Sequence, residues 1–248
     1  MSEFKIAAAQ FASVRGDLAG NIRMHAAAIT AAAAQGVSVL VFPELSLIGY
    51  EPDLASELAI SATDERLAPL AALACEHQMA VVVGASLRTA GAKPGVGAIL
   101  FVADGSTRMY AKMHLGGSEP TYFSAGGAPL SFDAHGQTIG LAICADASKP
   151  SHPQAYADGG CTIYAAGVFL NAEWYATDKP RLAGYASRFR MLVVMANHAA
   201  SVGTHVSVGK SAVWGPDGAL LAEANSAESS LVIATRAREV WCGEVVRV

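Results

Sequence analysis

Short apolar runs of strand character alternate along this chain with segments of helical composition, and that alternation constrains the fold more than any other feature. Lys5–Phe11 reads as a strand, Asn21–Gln35 as an Ala-rich helix and Ser38–Phe42 as the next strand. Helix Asp64–His77 and strand Ala80–Ser86 repeat the unit, and a hairpin over Ala98–Lys112 turns at Asp104-Gly105. Strand Gln137–Cys144 precedes a short helix near Pro153–Asp158. Strand Cys161–Phe169, helix Pro180–Met191 and strand Leu192–Asn197 follow. Lys210–Trp214 and Leu231–Thr235 close the pattern, with Gly218–Glu223 between them. Strands this apolar, interleaved with helices, predict an α/β fold whose sheets are covered on their faces.

Three strand ends carry polar groups that apolar packing alone does not call for. Val39-Leu40-Val41-Phe42-Pro43 is an unbroken apolar run that delivers Glu44, a carboxylate expensive to bury unless paired. Partial desolvation would raise its pKa toward the range of a general base. Taken alone, Glu44 also fits a solvated loop after a strand. Lys112 ends the hairpin, and Gly116-Gly117 lets the following loop fold back so that Glu119 can pair with it. Such a pair is also common on protein surfaces. Cys144 closes the strand Thr138–Cys144 just before Ala145-Asp146 turns the chain toward a helix. A thiol held there, with backbone N–H groups facing outward, suits nucleophilic acyl chemistry, although free cysteine is usually a small apolar filler.

The order Glu, Lys, Cys resembles the nitrilase superfamily of carbon–nitrogen hydrolases. The matching pieces are Phe42-Pro43-Glu44 with Gly49-Tyr50, Lys112-Met113-His114-Leu115 with Glu119, and Cys144-Ala145-Asp146. The likeness extends from the opening strand Ile6–Gln10 to the Asn197–Gly203 segment and to Gly209-Lys210-Ser211 leading into Trp214–Gly218. It implies one domain over residues 1–248, a four-layer α-β-β-α sandwich with two central mixed sheets, and a homodimer or higher homo-oligomer.

The resemblance also implies roles. Cys144 would be the nucleophile, Glu44 the general base, Lys112 the cation facing the oxyanion, and Glu119 a second carboxylate orienting Lys112. The backbone N–H of Ala145 would be the other oxyanion donor. An ordinary thiol holds little thiolate at neutral pH, so Cys144 is expected to need that base and cation, and a depressed thiol pKa is expected of a working site. The reaction implied is hydrolysis of a small linear amide or N-carbamoyl compound through a thioester, with no cofactor. Nitrile hydrolysis through a thioimidate is the enzymatic alternative, and a non-catalytic member binding a metabolite or partner protein is the other.

Tyr50, Phe123, Trp174 and Tyr175 are expected in loops bordering the cleft, as pocket walls or as ordinary packing. Members that cleave ω-amides often carry Arg four positions after the nucleophile. Here Ser148 stands there, leaving Lys149 or Arg188 to meet a substrate carboxylate. His114 is expected to fix its loop, His198 to be structural or a pocket wall, His152 to contact substrate or pack, and Asp146 to cap the turn after Cys144.

Composition limits the other functions. A net charge of -4 and the absence of an aromatic-interleaved basic patch argue against nucleic-acid binding. No apolar run is long enough to span a membrane. The residues before the first strand, Met1-Ser2-Glu3, lack a signal peptide's character, and the four scattered cysteines form no CxxC pair, which suits a reducing cytoplasmic compartment. No His/Cys/carboxylate set has metal-ligand spacing along the chain, so no metal is expected.

Overall fold

The computed structural model describes residues 3–199, 205–226 and 228–248. Thirteen strands and five helices follow in chain order among them. They are β1 (Phe4–Gln10), α1 (Leu18–Ala34), β2 (Val39–Val41), α2 (Ala68–Glu76), β3 (Ala80–Leu87), β4 (Gly95–Phe101) and β5 (Thr107–Ala111). Next come α3 (Glu119–Tyr122), β6 (Ser131–Ala134), β7 (Gln137–Ile143), α4 (Ser151–Asp158), β8 (Ile163–Gly167) and α5 (Ala172–Phe189). The last are β9 (Leu192–Ala196), β10 (Ala212–Trp214), β11 (Leu220–Glu223), β12 (Ser230–Ala237) and β13 (Val240–Arg247).

Two mixed sheets form the centre. One has the order β13-β12-β1-β2-β3-β4-β5 and the other β11-β10-β9-β8-β7-β6. Each has a parallel trio, β1-β2-β3 in the first and β7-β8-β9 in the second, flanked by antiparallel strands. With helices on the outer faces, this is the expected α-β-β-α sandwich. Its layering follows from period-two alternation in strands buried on both sides. In β8 and β9, Ile163, Ala165, Leu192 and Val194 join Ile6, Val41 and Val82 of the other sheet in the inter-sheet core. The alternate residues Tyr164, Ala166, Val193 and Met195 pack under Tyr156 of α4 and Leu182 and Tyr185 of α5.

Three differences from the sequence expectation have physical causes. Helix α5 begins at Ala172, not at Pro180. Asn171 caps it by accepting from the Trp174 N–H at 2.8 Å, and Pro180 sits inside the helix. Proline costs an interior helix one hydrogen bond, and the buried face of Tyr175, Leu182, Tyr185 and Ala186 outweighs that loss. Strand β6 is only four residues long with Ser131 and Asp133 exposed, and the apolar run of β13 is broken by Gly243 and Glu244, yet β13 pairs along its whole length with β12 as a sheet edge. The expected segment Asn197–Gly203 is described through Ala199, and residues 200–204 lie outside the described residues. No described helix is long and apolar enough to cross a membrane.

Glycines let the chain reach the strand ends where the polar residues gather. A Cβ on Gly84 of β3 would lie 2.1 Å from the Pro43 carbonyl oxygen, and one on Gly167 of β8 would lie 2.6 Å from that of Phe42. The Phe42–Glu44 backbone is therefore gripped from both sheets at distances no side chain permits. Gly84→Ala and Gly167→Ala are each expected to lower unfolding free energy by about 1–3 kcal/mol, measured by urea denaturation. Gly127→Ala, where a Cβ would meet nothing within 4 Å, is expected to change it by less than about 0.5 kcal/mol.

Candidate functional site

Glu44, Lys112 and Glu119 converge below one cavity at the ends of β2 and β5 and at the start of α3. The Lys112 Nζ donates to Glu44 Oε1 and to Glu119 Oε1, each at 2.7 Å, with the lysine side chain 0% exposed. Glu119 is itself held, accepting from the Gly116 N–H at 2.8 Å through Oε2 and from the Tyr50 hydroxyl at 3.2 Å through Oε1. Burial alone pushes the Lys112 ammonium down, but the charges of Glu44 and Glu119 outweigh it and hold the pKa above the usual lysine value. Lys112 is therefore a fixed cation across the working pH range.

Glu44 is buried, and Leu45 after it adopts a left-handed φ of 52°, so the backbone turns sharply there. His198 Nε2 donates to the Glu44 carbonyl at 2.8 Å. Burial lowers His198 to about 4, so it is a neutral structural donor and not a cavity wall. Burial raises the Glu44 carboxyl to about 7 against the pull of Lys112, and Glu119 adds to the rise. Its Oε2 is buried and makes no hydrogen bond to another described nitrogen or oxygen, while the Cys144 thiol lies beside this carboxylate.

Cys144 follows the last residue of β7 with φ 42°, a left-handed conformation that costs a non-glycine residue strain and turns its side chain out of the sheet. The thiol also contacts the Phe169 carbonyl oxygen at 3.8 Å. That carbonyl belongs to a segment pinned by Asn197, whose Oδ1 accepts from the Leu170 N–H at 2.9 Å. One expectation is corrected: burial pushes the Cys144 thiol well above the ordinary value, Glu44 adds to this, and Lys112 only partly opposes it. The resting group is a neutral thiol, because the nearest carboxylate repels a thiolate in a site shielded from water.

Asp146 ties the Cys144 turn to the lysine strand. Its Oδ2 accepts from the Ile143 N–H at 3.1 Å and the Tyr110 hydroxyl at 2.6 Å. Its Oδ1 accepts from the N–H groups of Met113 at 3.1 Å and His114 at 2.9 Å, and His114 Nδ1 lies 3.1 Å away. Asp146 and His114 thus have the capping and loop-fixing parts expected. Folding also brings His114, Asp146 and His152 within 4.8 Å of one another, a grouping that spacing along the chain did not reveal. Asp146's oxygens are occupied by these donors, and His152 lies between the Tyr164 and Tyr110 hydroxyls at 3.0 Å each. The three form a hydrogen-bonded brace, and His152 is buried away from the cavity.

The cavity has a volume of about 550 Å³. Tyr50, Ala145, Ser148 and Trp174 line it, together with Lys112, Glu119 and Cys144; Trp174 stands in helix α5 and not in the expected loop. Tyr50 stacks on Phe169 with ring centroids 4.6 Å apart. Phe123 does not line it. The short helix α3 turns that ring into the core, where it is 2% exposed. Tyr175 is also buried, in α5, and its hydroxyl donates to Glu223. Neither Lys149 nor Arg188 reaches the cavity; Arg188 lies over the Phe189 ring instead. Asp178 and Arg181, both on α5, also line it; Asp178 precedes the expected helix start at Pro180, and Arg181, although inside the expected helix, carried no sequence sign of facing the cavity.

Residues 5–242 match the family described as carbon-nitrogen hydrolase. An amidase from Nesterenkonia sp. shares 26% identity at a TM-score of 0.84, covering 93% of this chain and 89% of that chain. A cysteine-to-serine mutant of Nesterenkonia AN1 amidase from the nitrilase superfamily shares 25% identity at a TM-score of 0.85, covering 93% and 90%. A cysteine-to-alanine mutant of the amidase from Nesterenkonia sp. AN1, in complex with butyramide, has the same fold at 24% identity and a TM-score of 0.86, covering 95% and 92%. The molecule is an amidase-like hydrolase, and the chain belongs to the carbon-nitrogen hydrolase family.

Proposed function

We propose that this chain, with residues 1–248 acting as one domain in a homo-oligomer, hydrolyses a small linear amide or N-carbamoyl compound through a thioester on Cys144. One observation carries the reading: a buried lysine clamped between two carboxylates, at the floor of a cavity that a strained cysteine enters. The butyramide complex of the similar amidase supports the linear amide over the nitrile.

In this reading the neutral thiol gives its proton to Glu44 as sulfur attacks the carbonyl carbon. The carbonyl π electrons move onto oxygen, where the Lys112 ammonium and the Ala145 N–H face the developing charge. Protonated Glu44 then passes its proton to the leaving nitrogen as the C–N bond breaks. Water attacks the thioester with Glu44 again taking a proton, the C–S bond breaks, and the thiol is restored. Glu119 accepts nothing in these steps; it holds Lys112 in place. A carboxyl near 7 suits both directions of this transfer, since general acid–base groups work best near the operating pH.

Two outcomes are expected. Wild type incubated with butyramide should release ammonia and carry a butyryl mass on Cys144, while Cys144→Ala should do neither; adducts elsewhere in the chain would contradict the assignment. The thiol route requires ionised Glu44, so kcat/KM should fall as pH drops through about 7. The raised Lys112 keeps its charge on the alkaline side. A profile flat from pH 5 to 8 on the order of the measurement error would remove Glu44 as the base.

A further inference from the structure

Helix α5 turns Trp174, Thr177, Asp178 and Arg181 toward the cavity, an i, i+3, i+4, i+7 stripe on one face. Its other faces are accounted for: Tyr175, Leu182, Tyr185 and Ala186 are buried in the core, and Lys179 pairs with Glu223. The stripe places one cation and one anion in the cavity wall. Arg181 Nη1 donates to Asp178 Oδ1, and no other described hydrogen bond engages either side chain. Their side chains keep 30% and 17% exposure, so both retain hydrogen-bonding capacity toward the cavity. A guanidinium has five N–H donors and a carboxylate about four acceptor sites, and a single contact leaves most of them unused.

Charge bookkeeping narrows what can occupy this wall. Lys112 is already held by two carboxylates, and Ser148 adds no charge. A ligand bearing only a carboxylate would gain Arg181 but meet Asp178, with Glu119 also lining the cavity. A ligand bearing only an ammonium would gain Asp178 but meet Arg181. A ligand carrying both groups on adjacent atoms matches both and keeps the wall neutral. The cavity of about 550 Å³ also exceeds what a four-carbon amide fills. We propose that Asp178 and Arg181 form a dipolar subsite that selects amides whose far end is a zwitterionic α-amino acid. The inference rests on the hydrolytic reading above and adds its substrate class.

The test compares kcat/KM of the full chain, by ammonia release, for four probes. They are glutamine (zwitterionic), the monoamide of glutaric acid (anionic), 5-aminopentanamide (cationic) and butyramide (neutral). Glutamine is expected to exceed the two singly charged probes by about tenfold or more, the worth of one charge-assisted hydrogen bond. Arg181→Gln should lower the glutamine-to-butyramide ratio by about tenfold and favour the cationic probe. Asp178→Asn should lower the same ratio and favour the anionic one. Lys149→Gln and Arg188→Gln, outside the cavity, should leave every ratio as in wild type. Turnover of butyramide with no preference for glutamine, or ratios unmoved by both α5 variants, would overturn the subsite and leave the hydrolytic reading standing. Ammonia from no probe would count against the hydrolytic reading itself. Calorimetric titration of glutamine into Cys144→Ala then reads the subsite apart from turnover. Binding weakened by adding Arg181→Gln supports the subsite, and binding no tighter than that of butyramide overturns it.

Discussion

A lysine ammonium buried at 0% exposure between two carboxylates is the interaction on which the rest of this structure depends. Removing an ammonium from water costs several kcal/mol, and only close, opposite, well-directed partners repay it. Glu44 and Glu119 do so at 2.7 Å each, and each needs its own support. The glycine-lined approach at Gly84 and Gly167 brings Glu44 in, the His198 donor fixes its backbone, and the Gly116 N–H and Tyr50 hydroxyl hold Glu119. The sheets can thus be seen as a frame that brings three strand ends to one point.

The same electrostatics set the state of Cys144, the proposed nucleophile. Two carboxylates and one ammonium leave a negative balance beside Cys144, and burial amplifies it. The thiol is held neutral and Glu44 sits near 7, so in the proposed reaction proton and sulfur would move together during attack. In that proposal Lys112 acts on the charge that reaches the carbonyl oxygen more than on the resting sulfur. Strain at Cys144 and Leu45, both with left-handed φ, is the conformational cost of presenting the thiol and the Glu44 carboxylate from opposite sheets.

Much of this was legible in the sequence, for a physical reason. Strands β1, β2, β3, β7, β8 and β9 are buried on both faces, so they read as apolar runs, and Glu44, Lys112 and Cys144 stand at or just beyond the ends of three of the chain's strands. Contacts between distant segments were less visible. The Asp146 brace joins residues 36 apart in the case of Tyr110, and no periodicity marks it. Strand β13 alternates exposed and half-buried residues at a sheet edge, where the apolar signal fades. Pro180 hid the first turns of α5 and, with them, Asp178, nothing along the chain marked Arg181 as facing the cavity, and Phe123 was placed at the cleft because a local reading cannot see which way α3 turns a ring.

The central claim is that Cys144 rests as a neutral thiol whose proton leaves through Glu44. The most direct measurement is the rate of Cys144 alkylation by iodoacetamide against pH, site-resolved by mass spectrometry, in wild type and Glu44→Gln. The account predicts that the wild-type rate climbs through about pH 7 with the ionisation of Glu44. In Glu44→Gln it should stay low until the solution is well into the alkaline range. Equal, rapid alkylation of both proteins at neutral pH would mean a thiolate already present at rest, and would contradict it.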